Sequence, residues 1–330
     1  MAPYIAKLPM TEIPPSPNSP RTESIQDHSV NECPVCRNSE SAPLFTKDSF
    51  LILRCSECCT EYVTNPPSND DLTAYYSREE YYQGGEPGGY DNYDEQTQEN
   101  ADTVRSLLEH YGCKKGCILD IGCGYGTHLA IAASMGWQCF GVEISEHART
   151  VASKRLGTSA TITAAVDNIC SHFFDVILIL DVIEHVSDPY SFFYPLLASG
   201  AIQRHTVVIV TTPNAGSISA IANQADWIYR HPPSHLTYFT KTSLETLFKN
   251  LRFTNVEAEG IYPVEASNNS NPGIENYAGL LLKASGSDFR STIQADLDGY
   301  HKNKPRLQQR IEEMKDMLLT FKGAISAQER

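Results

Sequence analysis

No stretch of the 330-residue sequence is long and apolar enough to span a bilayer. The N-terminal stretch MAPYIAKLPMTEIPPSPNSPRTESIQ also lacks the apolar core of a secretory signal and is broken by prolines. Basic residues are scarce. Lys and Arg number 26 against 40 Asp and Glu, a net charge of −14, which argues against a nucleic-acid partner because phosphate binding draws on clustered cations. These absences lead to the expectation of a cytoplasmic protein with neither a membrane nor a nucleic acid as partner. In that reducing setting its ten cysteines are expected to be metal ligands or redox groups rather than disulfides.

The chain contains 41% apolar residues, enough for one large α/β domain and a small module. Composition divides it into five parts. Residues 1–30, rich in Pro and Ser, read as a disordered tail. Residues 31–65 hold five cysteines. Residues 66–100 are acidic and rich in Tyr and Gly, with six tyrosines around the hinge-like QGGEPGGY, and read as a solvated linker or a lid. Residues 101–286 alternate strand and helix patterns. Residues 287–330 are polar, with Leu307, Ile311, Met314, Leu318 and Phe321 marking an amphipathic helix that docks on the main domain or contacts a second copy in a homodimer.

Within 101–286, GCILDIGC, QCFGVEIS, FDVILILDVI and HTVVIVTTP are apolar runs of strand length. Helical segments separate them: THLAIAASMG stops at Gly136, and SEHARTVASKRLG is bounded by Ser145 and Gly157. TSLETLFKNLRF places Thr242 or Ser243 near a helix start, and TNVEAEGIY and NYAGLLLKAS close the pattern as strands. Strands alternating with helices of this length predict a doubly wound, mostly parallel sheet.

Cys33 and Cys36 form one Cys-x-x-Cys pair and Cys55 and Cys58 a second, separated by a hairpin-like PLFTKDSFLILR. Four thiolates on two facing knuckles suit Zn²⁺ in a closed structural site. Such a site leaves no coordination position for Lewis-acid chemistry. A redox dithiol would sit at a helix start in a βαβ setting, which this segment lacks. Cys59 is an additional thiol beside the second pair.

ILDIGCGYG sets Asp120, Gly122, Gly124 and Gly126 at a strand end, where ligands bind in such sheets. A dinucleotide fingerprint needs its last glycine three residues after the second, and here it comes two after. An acid preceding the turn suits a ligand with a cationic or amino-acid-like part better than a pyrophosphate. Glu143, at the end of the next strand, can accept both hydroxyls of a ribose.

LDIGCGYG, GVEIS, FDVILILDVIEHVSDP and VVIVTTPN, in this order over about Thr103 to Ala284, resemble class I S-adenosylmethionine-dependent methyltransferases. The resemblance implies a seven-stranded Rossmann-like core. It implies a glycine turn beside the methionine part of the cofactor, with Asp120 holding the amino group directly or through water. Glu143 would bind the ribose and Ile144 pack on the adenine. Asp167 would lie near the adenine amine, and Asp181 and Val182 would line the cofactor pocket.

Two regions could hold or activate an acceptor. DVIEHVSDP carries Glu184 and His185 just past a strand end, and His titrates near neutral pH. DWIYRHPPSHLTYFT, residues 226–240, brings His235 and Tyr238 forward, with Tyr229 and His231 behind. With the cysteine module, this region also resembles part of the deoxysugar C-methyltransferases, through Tyr229, His235, Tyr238 and Phe239. It departs from them at Ser234, where they carry a glutamate, and by three extra residues. It also lacks their extra C-terminal domain. The expectation is a methyltransferase for a small polar metabolite, a sugar nucleotide or a natural-product intermediate, with O-, N- and C-methylation all open. The alternatives are a nicotinamide-dependent oxidoreductase and a zinc-ribbon binding module on a degenerate core.

Overall fold

The computed structural model describes residues 32–84, 92–93, 101–169, 172–263 and 277–285. The expected tail 1–30, most of the QGGEPGGY hinge and the helix through Leu307 and Phe321 lie outside the described residues. Among the described residues no helix is long and apolar enough to cross a membrane.

The first sheet is small. Strands β1 (Ser41–Lys47) and β2 (Phe50–Cys55) form the expected hairpin, closed by Asp48 and Ser49, both at positive φ, as a two-residue turn requires. Strand β3 (Glu61–Val63) adds to β2, and β9 (Thr237–Tyr238) adds to β3 from far along the chain. The cysteine segment is therefore not closed on itself. Its sheet is completed by the loop that precedes helix α8 (Lys241–Asn250).

Helices α1 (Asn69–Tyr76) and α2 (Glu79–Gln83) follow. Ser68 caps α1 by accepting from the Asp71 N–H, and Asp70 and Asp71 meet the positive end of its dipole. Helix α3 (Ala101–His110) then leads into the main sheet.

The main sheet has seven strands: β4 (Cys117–Ile121), β5 (Gln138–Val142), β6 (Ala160–Thr163), β7 (Phe174–Leu180), β8 (Ile202–Pro213), β10 (Asn255–Pro263) and β11 (Tyr277–Ser285). Their spatial order is β10-β11-β8-β7-β4-β5-β6, parallel from β6 to β8, with β11 antiparallel to both its neighbours. Strand direction alternates side chains between two cores. Leu119, Ile177, Ile179, Val208 and Val210 face one, and Ile118, Val176, Leu178 and Ile209 the other, all fully buried. Burial on both faces is why these strands read as continuous apolar runs.

The crossovers are α4 (Thr127–Ser134), α5 (Glu146–Leu156), α6 (Pro189–Ser199) and α7 (Ile218–Asn223). Ser145 caps α5 as expected, accepting from the Ala148 N–H. The start of α8 differs slightly from expectation. Thr240 is its cap, because its hydroxyl accepts from the Ser243 N–H while the Ser243 hydroxyl accepts from the Thr240 N–H.

Several contacts bind the cysteine sheet to the main domain. Cys33, Val35 and Cys55 belong to the same buried cluster as Phe193, Leu244 and Phe248. The buried Glu61 of β3 pairs with Arg230, whose guanidinium also lies over the rings of Phe45 and Trp227. Arg37 pairs with Asp188 at 2.7 Å.

Candidate active site

Strand β4 ends at the topological switch point of the sheet, between β5 and β7. There the chain turns through Gly122, Gly124 and Gly126, at φ +76°, +50° and +76°, a left-handed region that favours glycine. The Gly124 N–H donates to Glu143 Oε2 at 2.9 Å, and the Ser145 N–H to Oε1 at 2.8 Å. Glu143 is thus fixed by backbone at the end of β5, with further lone pairs left for a ligand. Burial raises its pKa, while those two N–H groups and the Tyr82 hydroxyl oppose the rise.

A cavity of about 510 Å³ opens beside this turn. Gly122, Gly124, Glu143, Ile144, Asp181 and Val182 all line it. Asp181 has φ +53° and receives the Thr211 hydroxyl at 3.0 Å. Its surface opens into the cavity, and burial there raises its pKa. The backbone of Asp167 lies in a 3-10 turn, Val166–Asn168, whose first residue lines the same cavity.

Asp120 sits beneath the turn rather than in the cavity wall, where its strand neighbour Ile121 lies. It is 1% exposed, and its Oδ2 has no hydrogen-bond partner. Burial and the nearby Glu143 charge push its pKa to about 8. His128 Nδ1 lies 3.9 Å away, but burial lowers that histidine to about 4, so it supplies no positive charge at neutral pH. An orphaned carboxyl under the glycine turn suits a ligand that brings an ammonium group.

The close packing at Gly124 makes a direct prediction. A Cβ there would fall 1.9 Å from the Tyr93 hydroxyl, on a backbone that L side chains rarely adopt. Gly124→Ala is expected to weaken binding of the ligand that the resemblance implies, probed with S-adenosylhomocysteine by calorimetry, about 10-fold or more, from a backbone penalty of about 1–2 kcal/mol plus displacement of Tyr93.

Past the glycine turn the cavity runs between α1 and the start of α6. Leu72, Thr73 and Tyr76 form one wall, and Ser187, Asp188 and Ser191 the other. The described part of the acidic segment is therefore folded against the cavity. Tyr82 stacks on Tyr125 with centroids 5.2 Å apart, and Tyr76 meets Tyr81 edge-on at 5.1 Å.

His185 forms the floor. Its Nδ1 lies 2.8 Å from the Ser234 carbonyl and 2.8 Å from the Tyr76 hydroxyl, and that hydroxyl itself donates to Ser234 O. Tyr76 is one of the six tyrosines of the expected linker or lid, but nothing local links it to a histidine 109 positions away. His235 packs edge-on behind His185 at 4.7 Å, and its Nδ1 donates to Tyr229 O at 2.7 Å. Burial lowers His185 to about 4 and His235 well below the ordinary value, so both rings are neutral at pH 7. Tyr229 packs on Trp227, and His231 is exposed.

The structure does not bring Tyr238 to the cavity. Its pairing with Glu61 in the small sheet turns the ring into a core with Trp227 and Leu236, and its hydroxyl donates to His235 O at 2.9 Å.

The four cysteines of the two pairs gather with every Sγ within 4.8 Å of the others, and Cys58, not Cys59, completes the group. Cys33–Cys58 and Cys36–Cys55 are each 3.5 Å apart. That is far beyond the roughly 2.05 Å of a disulfide and close to the ~3.8 Å edge of a tetrahedron with about 2.3 Å metal–sulfur bonds. The donor set and its spacing fit a closed tetrahedral ion.

The sequence-family comparison matches residues 93–258 to the family described as "Methyltransferase domain". No curated protein matches the sequence. Several solved structures are similar. One is a SAM-dependent methyltransferase from Archaeoglobus fulgidus, with 18% identity, TM-score 0.43 and coverage of 64% of this chain and 99% of that one. Another is the magnesium protoporphyrin IX methyltransferase of Synechocystis with bound SAH, with 16% identity, TM-score 0.46 and coverage of 67% and 100%. A third is phosphoethanolamine N-methyltransferase 2 of Haemonchus contortus with S-adenosyl-L-methionine, with 19% identity, TM-score 0.45 and coverage of 69% and 62%.

Proposed function

The chain belongs to the methyltransferase-domain family, whose match spans half its length, and we propose that it uses S-adenosylmethionine to methylate a small polar metabolite. The observation that carries this reading is a single cavity with two ends. At one end lie the glycine turn and Glu143, and at the other the hydroxyl-bearing residues Thr73, Tyr76, Ser187 and Ser191 line the cavity.

Bound S-adenosylmethionine would supply an electrophilic methyl group on a sulfonium. Glu143 accepts the ribose hydroxyls, Ile144 covers the adenine with Asp167 nearby, and Asp120 holds the amino group from beneath the turn. The described tyrosines of α1 and α2 exclude water from the acceptor compartment. Alignment of acceptor and methyl in that compartment supplies much of the rate. His185 borders the acceptor compartment as a neutral ring, His235 packs behind it, and the Tyr238 hydroxyl donates to the His235 carbonyl.

The acceptor class follows from charge. Among the described lining residues there is no Lys or Arg to meet a phosphate; Asp188 is paired with Arg37, and Asp181 is an acid with no such ion pair among the described residues. This favours an uncharged or cationic natural-product intermediate over a sugar nucleotide. The cysteine cluster holds a structural Zn²⁺ and takes no part in the transfer.

A thermal-shift comparison tests the reading. S-adenosylhomocysteine at 100 times its Kd should stabilise the protein by about 2.7 kcal/mol, while NAD leaves the melting temperature unchanged. Stabilisation by NAD instead would support the oxidoreductase, and a response to neither would support the degenerate binding module.

A further inference from the structure

We propose that Glu184, His185 and His235 form a second metal site, for a single divalent cation, at the floor of the cavity. One donor atom from each lies within 4.8 Å of the other two. An ion about 2.1 Å from each donor needs separations of up to about 4.2 Å, so small side-chain adjustments close the site.

The fold holds these residues together from two distant segments. Glu184 and His185 lie in the 3-10 turn Ile183–His185 after β7, and His235 in the loop before β9. The Leu236 N–H donates to the Glu184 carbonyl at 2.8 Å and ties the two segments directly.

The surrounding hydrogen bonds have the pattern that orients metal ligands. His235 Nδ1 donates to Tyr229 O, and His185 Nδ1 lies 2.8 Å from Ser234 O. Tyr229 O fixes the His235 tautomer and leaves its Nε2 with a lone pair, while the His185 ring also meets the Asp181 carbonyl, a contact that an ion on that ring would replace. The Thr212 hydroxyl donates to Glu184 Oε2 at 3.0 Å, leaving the other carboxylate oxygen for an ion.

Charge points the same way. Glu184 is 2% exposed, and Asp181 lies close enough to repel it. Among the described residues no ion pair joins either acid to a Lys or Arg. A buried carboxylate without a cation is costly, and a divalent ion offsets that cost. Two imidazoles and one carboxylate suit Mn²⁺, Fe²⁺, Co²⁺ or Zn²⁺ and leave coordination positions free. His185 lines the cavity, so the ion would border the acceptor compartment.

The test uses the full chain with its thiolate-bound metal in place, and no acceptor or methyl donor, so its outcome does not depend on the proposed reaction. Mn²⁺ is the probe because it competes poorly for thiolates. Titration followed by electron paramagnetic resonance should show one tightly bound Mn²⁺ per chain. Glu184→Gln and His235→Gln should each weaken it at least about 10-fold, since even partners of metal ligands contribute 10–100-fold. Circular dichroism and the melting temperature report whether each variant folds; if Glu184→Gln does not, His235→Gln, at a half-buried side chain, decides. No Mn²⁺ binding to the wild type, or equal binding to a folded variant, would overturn the site and leave the three side chains as a hydrogen-bonded network.

Discussion

Glu143→Ala is expected to lower S-adenosylhomocysteine affinity by about 100-fold or more, read by isothermal calorimetry. The carboxylate would accept two ribose hydroxyls, and hydrogen bonds to a charged acceptor contribute about 1.5–3 kcal/mol each, against 1.4 kcal/mol per tenfold in affinity. Glu143 also receives the Gly124 and Ser145 N–H groups, so its removal loosens the glycine turn as well. A ligand lacking the 2′-hydroxyl separates the two effects. It should bind more weakly than S-adenosylhomocysteine to the wild type, and no more weakly than it to Glu143→Ala. Unchanged affinity in the variant would remove the ribose assignment. A loss that is the same for both ligands, with wild type indifferent to the hydroxyl, would reduce Glu143 to a support for the turn.

Glu143 was legible in the sequence because its position is set by local rules: an apolar strand, an acid at its end and a capped helix after it. The same holds for β4, β7 and β8, whose burial on both faces writes itself as unbroken apolar runs. Helix α1 carried a readable signal that composition obscured. Ser68 followed by Asp70 and Asp71 is a capped helix start, yet the acidity of the whole segment suggests a linker. What could not be read is long-range pairing. Strand β9 is two residues long and finds its partner at Glu61, far back along the chain. That pairing buries Tyr238 as a packing residue and places His235 behind His185. The contact of Tyr76 with His185 is equally non-local. Residue types near a strand end can nominate a site, but which face each side chain presents is decided by partners elsewhere in the chain.

That pairing also sets how far loss of the proposed cysteine-bound Zn²⁺ should reach. Cys55→Ser, or removal of the ion by a strong chelator, is expected to unfold the small sheet. Binding of zinc to zinc-finger peptides is worth about 10–16 kcal/mol at pH 7, as much as the whole stability of an ordinary domain. Without it, the sheet of β1, β2 and β3 keeps little apart from its packing on the main domain and the Glu61–Arg230 pair. The damage should then pass along a short path. The Val63 N–H donates to Leu236 O at 2.9 Å, and the Leu236 N–H donates to Glu184 O at 2.8 Å. The cysteine sheet is thus two hydrogen bonds from the floor of the acceptor compartment, while Glu143 and the Gly124 amide are held by hydrogen bonds that involve neither segment. Hydrogen exchange should show loss of protection at Ile52 and Val63, a smaller loss at Leu236, and little change at the Gly124 amide. S-adenosylhomocysteine affinity should fall by less than about threefold, whereas acceptor turnover should fall by at least about 10-fold, as misplacement of about 1 Å near a reacting centre can cost about 100-fold. Cobalt substituted into the wild type should give thiolate charge-transfer absorption that Cys55→Ser weakens. Purified protein with no bound metal, or a Cys55→Ser variant with full protection at Ile52 and Val63, would show that the four cysteines do not clamp the sheet.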